Sequence, residues 1–171
     1  MPAVPPFRVE PLGAEHDRTG FDCGNETLDR YFRDRIGQDS RRRLATPFVL
    51  LETGTTIIAG FYTLSAEGVA LASLPPAIVK KLPRYPMIPA TLLSRLAIHR
   101  RYQERGAGKA LMVDALLRAC RAADMVASFA VVVDPIDEGA RVFYLKFGFR
   151  AFDDNPRRLF LPMQDIAALR S

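Results

Sequence analysis

The chain is sparing with the residues that build metal centres and disulfide frameworks: two cysteines, Cys23 and Cys120, and two histidines occur in 171 residues. The thiols lie far apart and make no metal-ligand spacing, which suits a reducing cytoplasm and calls for no metal. No apolar run reaches the ~18 residues that a membrane-crossing helix needs, so no membrane association is expected. Met1–Pro6 carries three prolines and lacks the apolar centre of a secretory leader. Repeats and low-complexity tracts are absent too, which removes solenoids and disordered chains from consideration. Acid and base nearly balance, with 24 Lys+Arg against 19 Asp+Glu and a net charge of +5. So small a basic excess admits a polyanionic ligand, a nucleotide or RNA, without demanding one. What is present, 49% apolar and 25% charged residues, suits one domain with a full core over residues 1–171.

The stretch around Leu92–Ala110 organises the rest. An apolar strand (Leu92–Ile98) runs into a basic turn (His99–Arg105), then the pair Gly106 and Gly108, then a helix over Gly108–Ala123 rich in alanine and leucine. Glycines at a strand-to-helix turn let the backbone approach a ligand, and the first helical N–H groups have no internal partners. That combination suits a phosphate. A Walker loop is excluded because Gly108-Lys109 is followed by Ala110 where Ser or Thr should stand. The dinucleotide fingerprint is excluded because Gly106-Ala107-Gly108 is followed by Leu111, with no acid at the expected distance.

Around this stretch, Phe7–Leu12 alternates as a first strand, and Asn25 is placed to cap a helix bearing Leu28, Tyr31, Phe32 and Ile36. Thr53-Gly54-Thr55 joins two strands, Pro47–Glu52 and Thr56–Ser65, with Gly60 marking a bulge. A short helix over Leu74–Leu82 is fenced by prolines, and Lys80, Lys81 and Arg84 add a small basic group there. Phe129–Val133 reads as a central strand, Asp137–Phe147 as a helix closed by Gly148, and Phe149–Phe152 and Arg158–Met163 as a last strand pair. The order β, α, ββ, β, α, β, α, ββ predicts an α/β (mixed α+β) fold, a central mixed sheet with helices on both faces. Arg95, in mid-strand, is expected either to pair with a carboxylate or to face a substrate groove. His99 reads as an exposed turn residue. Arg41-Arg42-Arg43, with no acid beside it, is the candidate RNA phosphate contact, though a solvated surface run explains any one of them.

Gln103-Glu104-Arg105-Gly106-Ala107-Gly108 resembles the pyrophosphate loop of the GNAT acyltransferases, and Ala140–Phe149 resembles their helix-to-strand signature. FDCGN near the start, Ser94-Arg95-Leu96-Ala97-Ile98 before the loop and Leu159–Met163 near the end resemble elements of the GNAT toxins of type II toxin–antitoxin pairs. Two departures stand out: Ser94 where that group has glycine, and Glu104 where it often has a third. The resemblance implies acetyl transfer from acetyl-CoA to the α-amine of an aminoacyl-tRNA, blocking translation. It also implies a homodimer and a ribbon-helix-helix antitoxin as partner. Backbone of Leu96, Ala97 and Ile98 would hold the pantetheine arm, and Arg101, Gln103, Glu104, Arg105, Gly106, Ala107, Gly108 and Lys109 the phosphates. Tyr144 would protonate the leaving sulfur; Phe143 and Phe147, four apart, are expected to face the core and leave its hydroxyl turned toward a cleft. No general base stands out, and an α-amine with pKa about 7.7–8.0 scarcely needs one. Arg41, Arg42, Arg43 and Arg95 are the candidate RNA contacts. A GNAT acting on a small amine or protein N-terminus, or a non-catalytic acyl-CoA-binding protein, would share the same cofactor half.

Overall fold

The structure, a computed structural model, describes residues 6–169. The first residues of the Met1–Pro6 segment and the last two of the chain lie outside that range. Among the described residues, seven strands make one mixed sheet in the order β1-β2-β3-β4-β5-β7-β6. They are β1 (Phe7–Pro11), β2 (Thr46–Glu52), β3 (Ile58–Ala70), β4 (Met87–Ile98), β5 (Ala130–Val133), β6 (Arg150–Ala151) and β7 (Leu159–Pro162). The helices are α1 (Glu26–Arg30), α2 (Ile36–Arg41), α3 (Pro76–Val79), α4 (Ala107–Ala122), α5 (Glu138–Lys146) and α6 (Met163–Ala168). β4 and β5 run parallel, whereas β1/β2, β2/β3, β5/β7 and β6/β7 are antiparallel. This is the mixed α/β class that the element order predicts. Cα packing separates two units, Met1–Ser65 with Arg95–Ala115, and Ala66–Ser94 with Leu116–Ser171.

In the first unit, the Asn25 side chain accepts the Leu28 N–H at 3.0 Å and so starts α1. Leu28, Tyr31, Phe32 and Ile36, at helical spacing, are all buried. Between α1 and α2 the helix widens over Tyr31–Arg35, where the Ile36 N–H reaches back to the Tyr31 carbonyl. Phe21, Phe32 and Phe61 close the core, with Phe32 stacked on Phe61 at 4.3 Å between centroids. The expected bulge is present: Leu50 pairs with Gly60 but Leu51 pairs with Ile58, leaving Ala59 as the extra residue. Glycine is required there, since a Cβ on Gly60 would stand 2.7 Å from the Ala97 carbonyl oxygen and 2.8 Å from Ile98 Cδ1.

In the second unit, every residue of β5 and β7 is buried. Val69, Leu74, Ala90, Ala130, Val132, Phe152 and Phe160 form its core, against which Leu71, Ile78, Val79 and Leu82 lie. Asp137 caps α5 by accepting the Ala140 N–H at 2.7 Å, and Gly148, at φ 96°, turns the chain out of it. Arg158 ties strand ends together, 2.9 Å from Glu67 and 3.1 Å from Asp134, the latter as an ion pair without hydrogen-bond geometry at Nε.

Several boundaries differ from expectation. β3 runs five residues past Ser65, and β4 begins at Met87, so Pro89 lies inside a strand rather than before it. Its carbonyl accepts the Phe129 N–H at 2.8 Å, a bond that proline can still make. The helix expected over Leu74–Leu82 is only the single turn Pro76–Val79, preceded by a 3-10 turn at Leu71–Ser73. β6 is two residues long, and a short helix, α6, follows β7.

Candidate active site

β4 ends at Ile98, a 3-10 turn covers Arg100–Tyr102, and α4 starts at Ala107. Between them Glu104 and Gly106 adopt left-handed backbone, φ 66° and 80°. Glu104 thus takes, at a conformational cost, the conformation that a glycine there would adopt freely. Nothing lies within 4 Å of where a Gly106 Cβ would be. The Ala110 N–H bonds the Gly106 carbonyl at 3.0 Å, leaving the N–H groups of Ala107, Gly108 and Lys109 at the free end of α4. No acid sits in that first turn. Arg101, Arg105 and Lys109 are exposed around it, and buried Ala107 anchors it. An open, positive helix end with spare N–H groups fits a diphosphate.

A brace holds this loop in place. Gln103 Nε2 donates to the carbonyls of Cys23 and Ile98, each at 3.0 Å, so its side chain staples the loop to both neighbours. Arg100 donates its N–H to the Asp22 carbonyl at 2.9 Å and its Nε–H to Asp22 Oδ1 at 3.0 Å. That guanidinium, with the Gly24 N–H, holds the Asp22 carboxyl below its ordinary pKa. Buried Asp29 accepts the Cys23 N–H at 2.8 Å. Tyr102, also buried, donates its hydroxyl to Glu52 at 2.7 Å. The structure makes Asp22, Cys23 and Asp29 supports of the loop, a role that their place before and within the first helix does not announce. The nearest signal is Asp22, Gly24 and Asn25 clustered before a helix.

Leu96, Ala97 and Ile98 close β4. Its register with β5 covers Thr91 and Leu92, and the strand runs on to Ile98 beyond them. Leu93 and Ala97 are buried while Leu92, Ser94, Leu96 and Ile98 are half-buried, so the two faces divide as the alternation predicts. Arg95 lies on the Leu93/Ala97 face, its guanidinium 3.6 Å from the centre of the Tyr31 ring. Neither expected environment named an aromatic partner. His99 is half-buried rather than exposed: its Nδ1 accepts the Arg101 N–H at 3.1 Å and its ring packs edge-on to Phe21.

Tyr144 requires a correction. It is the buried member of its helix at 7% exposure, while Phe143 and Phe147 are half-buried, the reverse of the expected stripe. The cause lies beyond the helix: Phe149, past the Gly148 turn, packs edge-on to the Tyr144 ring at 5.5 Å and draws it inward. Among the described residues its hydroxyl has no hydrogen-bond partner, and unlike Arg158 Nε it is not shut off from solvent. Burial alone pushes that hydroxyl's pKa well above the ordinary tyrosine value, so its proton is held throughout the physiological range.

Arg41, Arg42 and Arg43 are exposed at the carboxyl end of α2, where cations complement the helix dipole, and Arg43 takes φ 60°. None of the three makes an ion pair among the described residues. Glu10, Glu15 and His16 are close enough to suggest a cation site. However, His16 Nδ1 accepts the Gly13 N–H at 2.8 Å, so in a neutral ring Nε2 carries the proton and donates it to Glu10 at 2.6 Å. No lone pair of the His16 ring is left for a metal.

Against known proteins, the family described as Acetyltransferase (GNAT) domain matches residues 46–151. A tRNA-acetylating toxin of Mycobacterium tuberculosis is 36% identical over 153 residues, 90% of each chain. The solved structure of AtaT complexed with acetyl-methionyl-tRNAfMet superposes with a TM-score of 0.88 at 29% identity, covering 96% of this chain and 99% of that one. A tyrosine-to-phenylalanine mutant of AtaT, bound to the C-terminus of the antitoxin AtaR and to acetyl-CoA, superposes at 0.82 with 26% identity over 98% and 99%. With its sheet, its glycine turn and these relatives in agreement, the chain belongs to the GNAT acetyltransferase family.

Proposed function

We propose that the chain moves the acetyl group of acetyl-CoA to the α-amine of an aminoacyl-tRNA and is the toxin of a toxin–antitoxin pair, acting on translation in the cytoplasm. The observation that carries this is the open, acid-free amino end of α4, braced by Gln103, in a chain matched over 90% of its length by a tRNA-acetylating toxin. The AtaT complexes with an acetylated aminoacyl-tRNA, with acetyl-CoA and with an antitoxin segment support the substrate, donor and partner. A ribbon-helix-helix antitoxin and a homodimer belong to the same proposal.

Acetyl-CoA supplies an activated thioester and a diphosphate handle. Arg101, Gln103, Glu104, Arg105, Gly106, Ala107, Gly108 and Lys109 form the loop that would seat the diphosphate, Gln103 chiefly by holding the backbone. The main chain of Leu96, Ala97 and Ile98 orients the arm and offers N–H donors to the carbonyl oxygen. In the transfer an N–C bond forms as the C–S bond breaks. The amine's proton leaves to water, and the sulfur receives one. Tyr144 serves that sulfur first as a hydrogen-bond donor, because a phenol that holds its proton so firmly gives it up only as negative charge develops. Mutation of a tyrosine to phenylalanine in AtaT is in keeping with a tyrosine in this role.

Incubation with labelled acetyl-CoA and a pool of charged tRNA tests the reading directly. Label should appear on the aminoacyl end and be released with the amino acid on mild alkaline deacylation. Label on free amines or protein N-termini, with none on tRNA, overturns it.

A further inference from the structure

We propose that the proline-braced turn between α3 and β4 is a docking surface for single-stranded RNA, which on the function given above is the unpaired 3′ region of the charged tRNA. The sequence is one-sided here: from Gly68 to Gln103 there is no aspartate or glutamate, while Lys80, Lys81, Arg84, Arg95, Arg100 and Arg101 all fall within that span. Lys80, Lys81 and Arg84 are exposed, and none has a carboxylate partner among the described residues. Elsewhere Arg8, Arg30, Arg33, Arg141, Arg150 and Arg158 each lie against an acid. Unneutralised cations gathered in one turn attract an anionic partner.

The surface between those cations is shaped for more than charge. Leu71, Val79, Leu82 and Tyr85 line a groove of about 730 Å³, with Lys80 and Arg84 on its rim. Its aliphatic floor is firm, because Leu71, Val79 and Leu82 pack on the buried core beneath. The turn is pinned from both sides: the Leu71 N–H reaches the Pro86 carbonyl at 3.1 Å, and the Asp153 N–H reaches the Ser73 carbonyl at 2.9 Å. Tyr85, between Arg84 and Pro86, is 62% exposed, and its N–H is tied to the Pro83 carbonyl at 2.9 Å. An exposed aromatic ring on a tethered backbone among cations is the arrangement that stacks an unpaired base while its phosphates are neutralised. An acidic peptide would satisfy the same cations. The exposed ring decides for a base, whose flat face stacks on it while the neighbouring cations take the phosphates.

The test is fluorescence anisotropy with a labelled single-stranded RNA ending in CCA, titrated with the full chain. K80A/K81A/R84A together should weaken binding at least tenfold and flatten the slope of log affinity against log salt by about two, at roughly 0.7 per phosphate contact. Tyr85→Ala should weaken binding about tenfold with the slope unchanged, and Tyr85→Phe should restore it, since the ring does the stacking. Acetyl-CoA affinity should be the same in all of them. Equal affinity and slope in the triple variant overturns the proposal, as does binding of a Glu/Leu amphipathic peptide at this surface with no RNA binding. The two readings fail separately. A wild type that binds RNA through these residues but acetylates no charged tRNA sinks the function alone. An active wild type whose triple variant binds RNA equally well sinks the docking surface alone.

Discussion

The Arg95 guanidinium stacks 3.6 Å from the centre of the Tyr31 ring, fastening the middle of β4 to the widened helical turn at Tyr31–Arg35. Tyr31 in turn donates its hydroxyl to Asp39 at 2.9 Å. Burial first, and then that hydrogen bond, push the Tyr31 pKa up to about 12, so the ring stays neutral and keeps its negative face for the cation. Arg95→Ala should therefore lower stability by about 1–2 kcal/mol, and Arg95→Lys by less. Urea unfolding of the two variants beside wild type checks this, and coincident midpoints would deny the stacking any weight. Should Arg95 also contact RNA, its loss would lower RNA affinity beyond what the stability change explains.

Gly60 sits where β3 passes closest to the end of β4. A methyl group there would stand 2.7 Å from the Ala97 carbonyl oxygen, a backbone atom that cannot swing aside. Gly60→Ala is expected to cost about 1–3 kcal/mol through overpacking. It should also weaken acetyl-CoA binding, because the displaced atoms belong to Ala97 and Ile98. Calorimetric titration of the folded variant with acetyl-CoA reads the second effect apart from the first.

These two positions also show what can be read from the chain. The Gly60 bulge, the Asn25 cap, the Gly148 turn and the α4 helix rest on local chemistry, and all are found in the structure. Residues whose role depends on a distant partner were not legible. Arg95 meets Tyr31 only through tertiary packing, and Tyr144 faces inward because of Phe149 across a turn, against the spacing of its own helix. Pro89 looked like a strand boundary, yet a strand tolerates a proline whose carbonyl alone is used. The glycine turn on α4 was visible, but the partners that Gln103 and Arg100 reach to brace it lie in Asp22–Asp29, far off in sequence.

Cys23 illustrates one consequence of that bracing. Burial, and then the Asp29 carboxylate, push its pKa up to about 11. The thiolate is the reactive form, so at pH 8 this half-buried thiol should alkylate far more slowly than a free cysteine of pKa about 8.5. The rate should climb as pH approaches 11, and Asp29→Asn should raise it at any fixed pH below that. Mass-spectrometric timing with iodoacetamide measures both. Prompt labelling of wild-type Cys23 at pH 8 would contradict the assignment.

Tyr144→Phe separates chemistry from packing more cleanly than any other change in the chain. The hydroxyl makes no hydrogen bond among the described residues, so its removal leaves no partner stranded, and the ring keeps its contacts with Phe143 and Phe149. Stability near neutral pH should hardly change. Acetyl-CoA affinity should hold too, while transfer falls by about 10²–10⁴, the range for loss of a general acid. A pH series adds a readout independent of activity. The folded chain keeps this proton when an unfolded tyrosine, with pKa 10.0, has lost it. Wild-type stability should therefore decline as pH rises above about 10, the unfolded state being the one that ionises. The phenylalanine variant lacks that group and should decline less steeply over the same interval. Identical slopes would mean that the hydroxyl is better solvated than its burial indicates, and identical transfer rates would remove Tyr144 from the reaction.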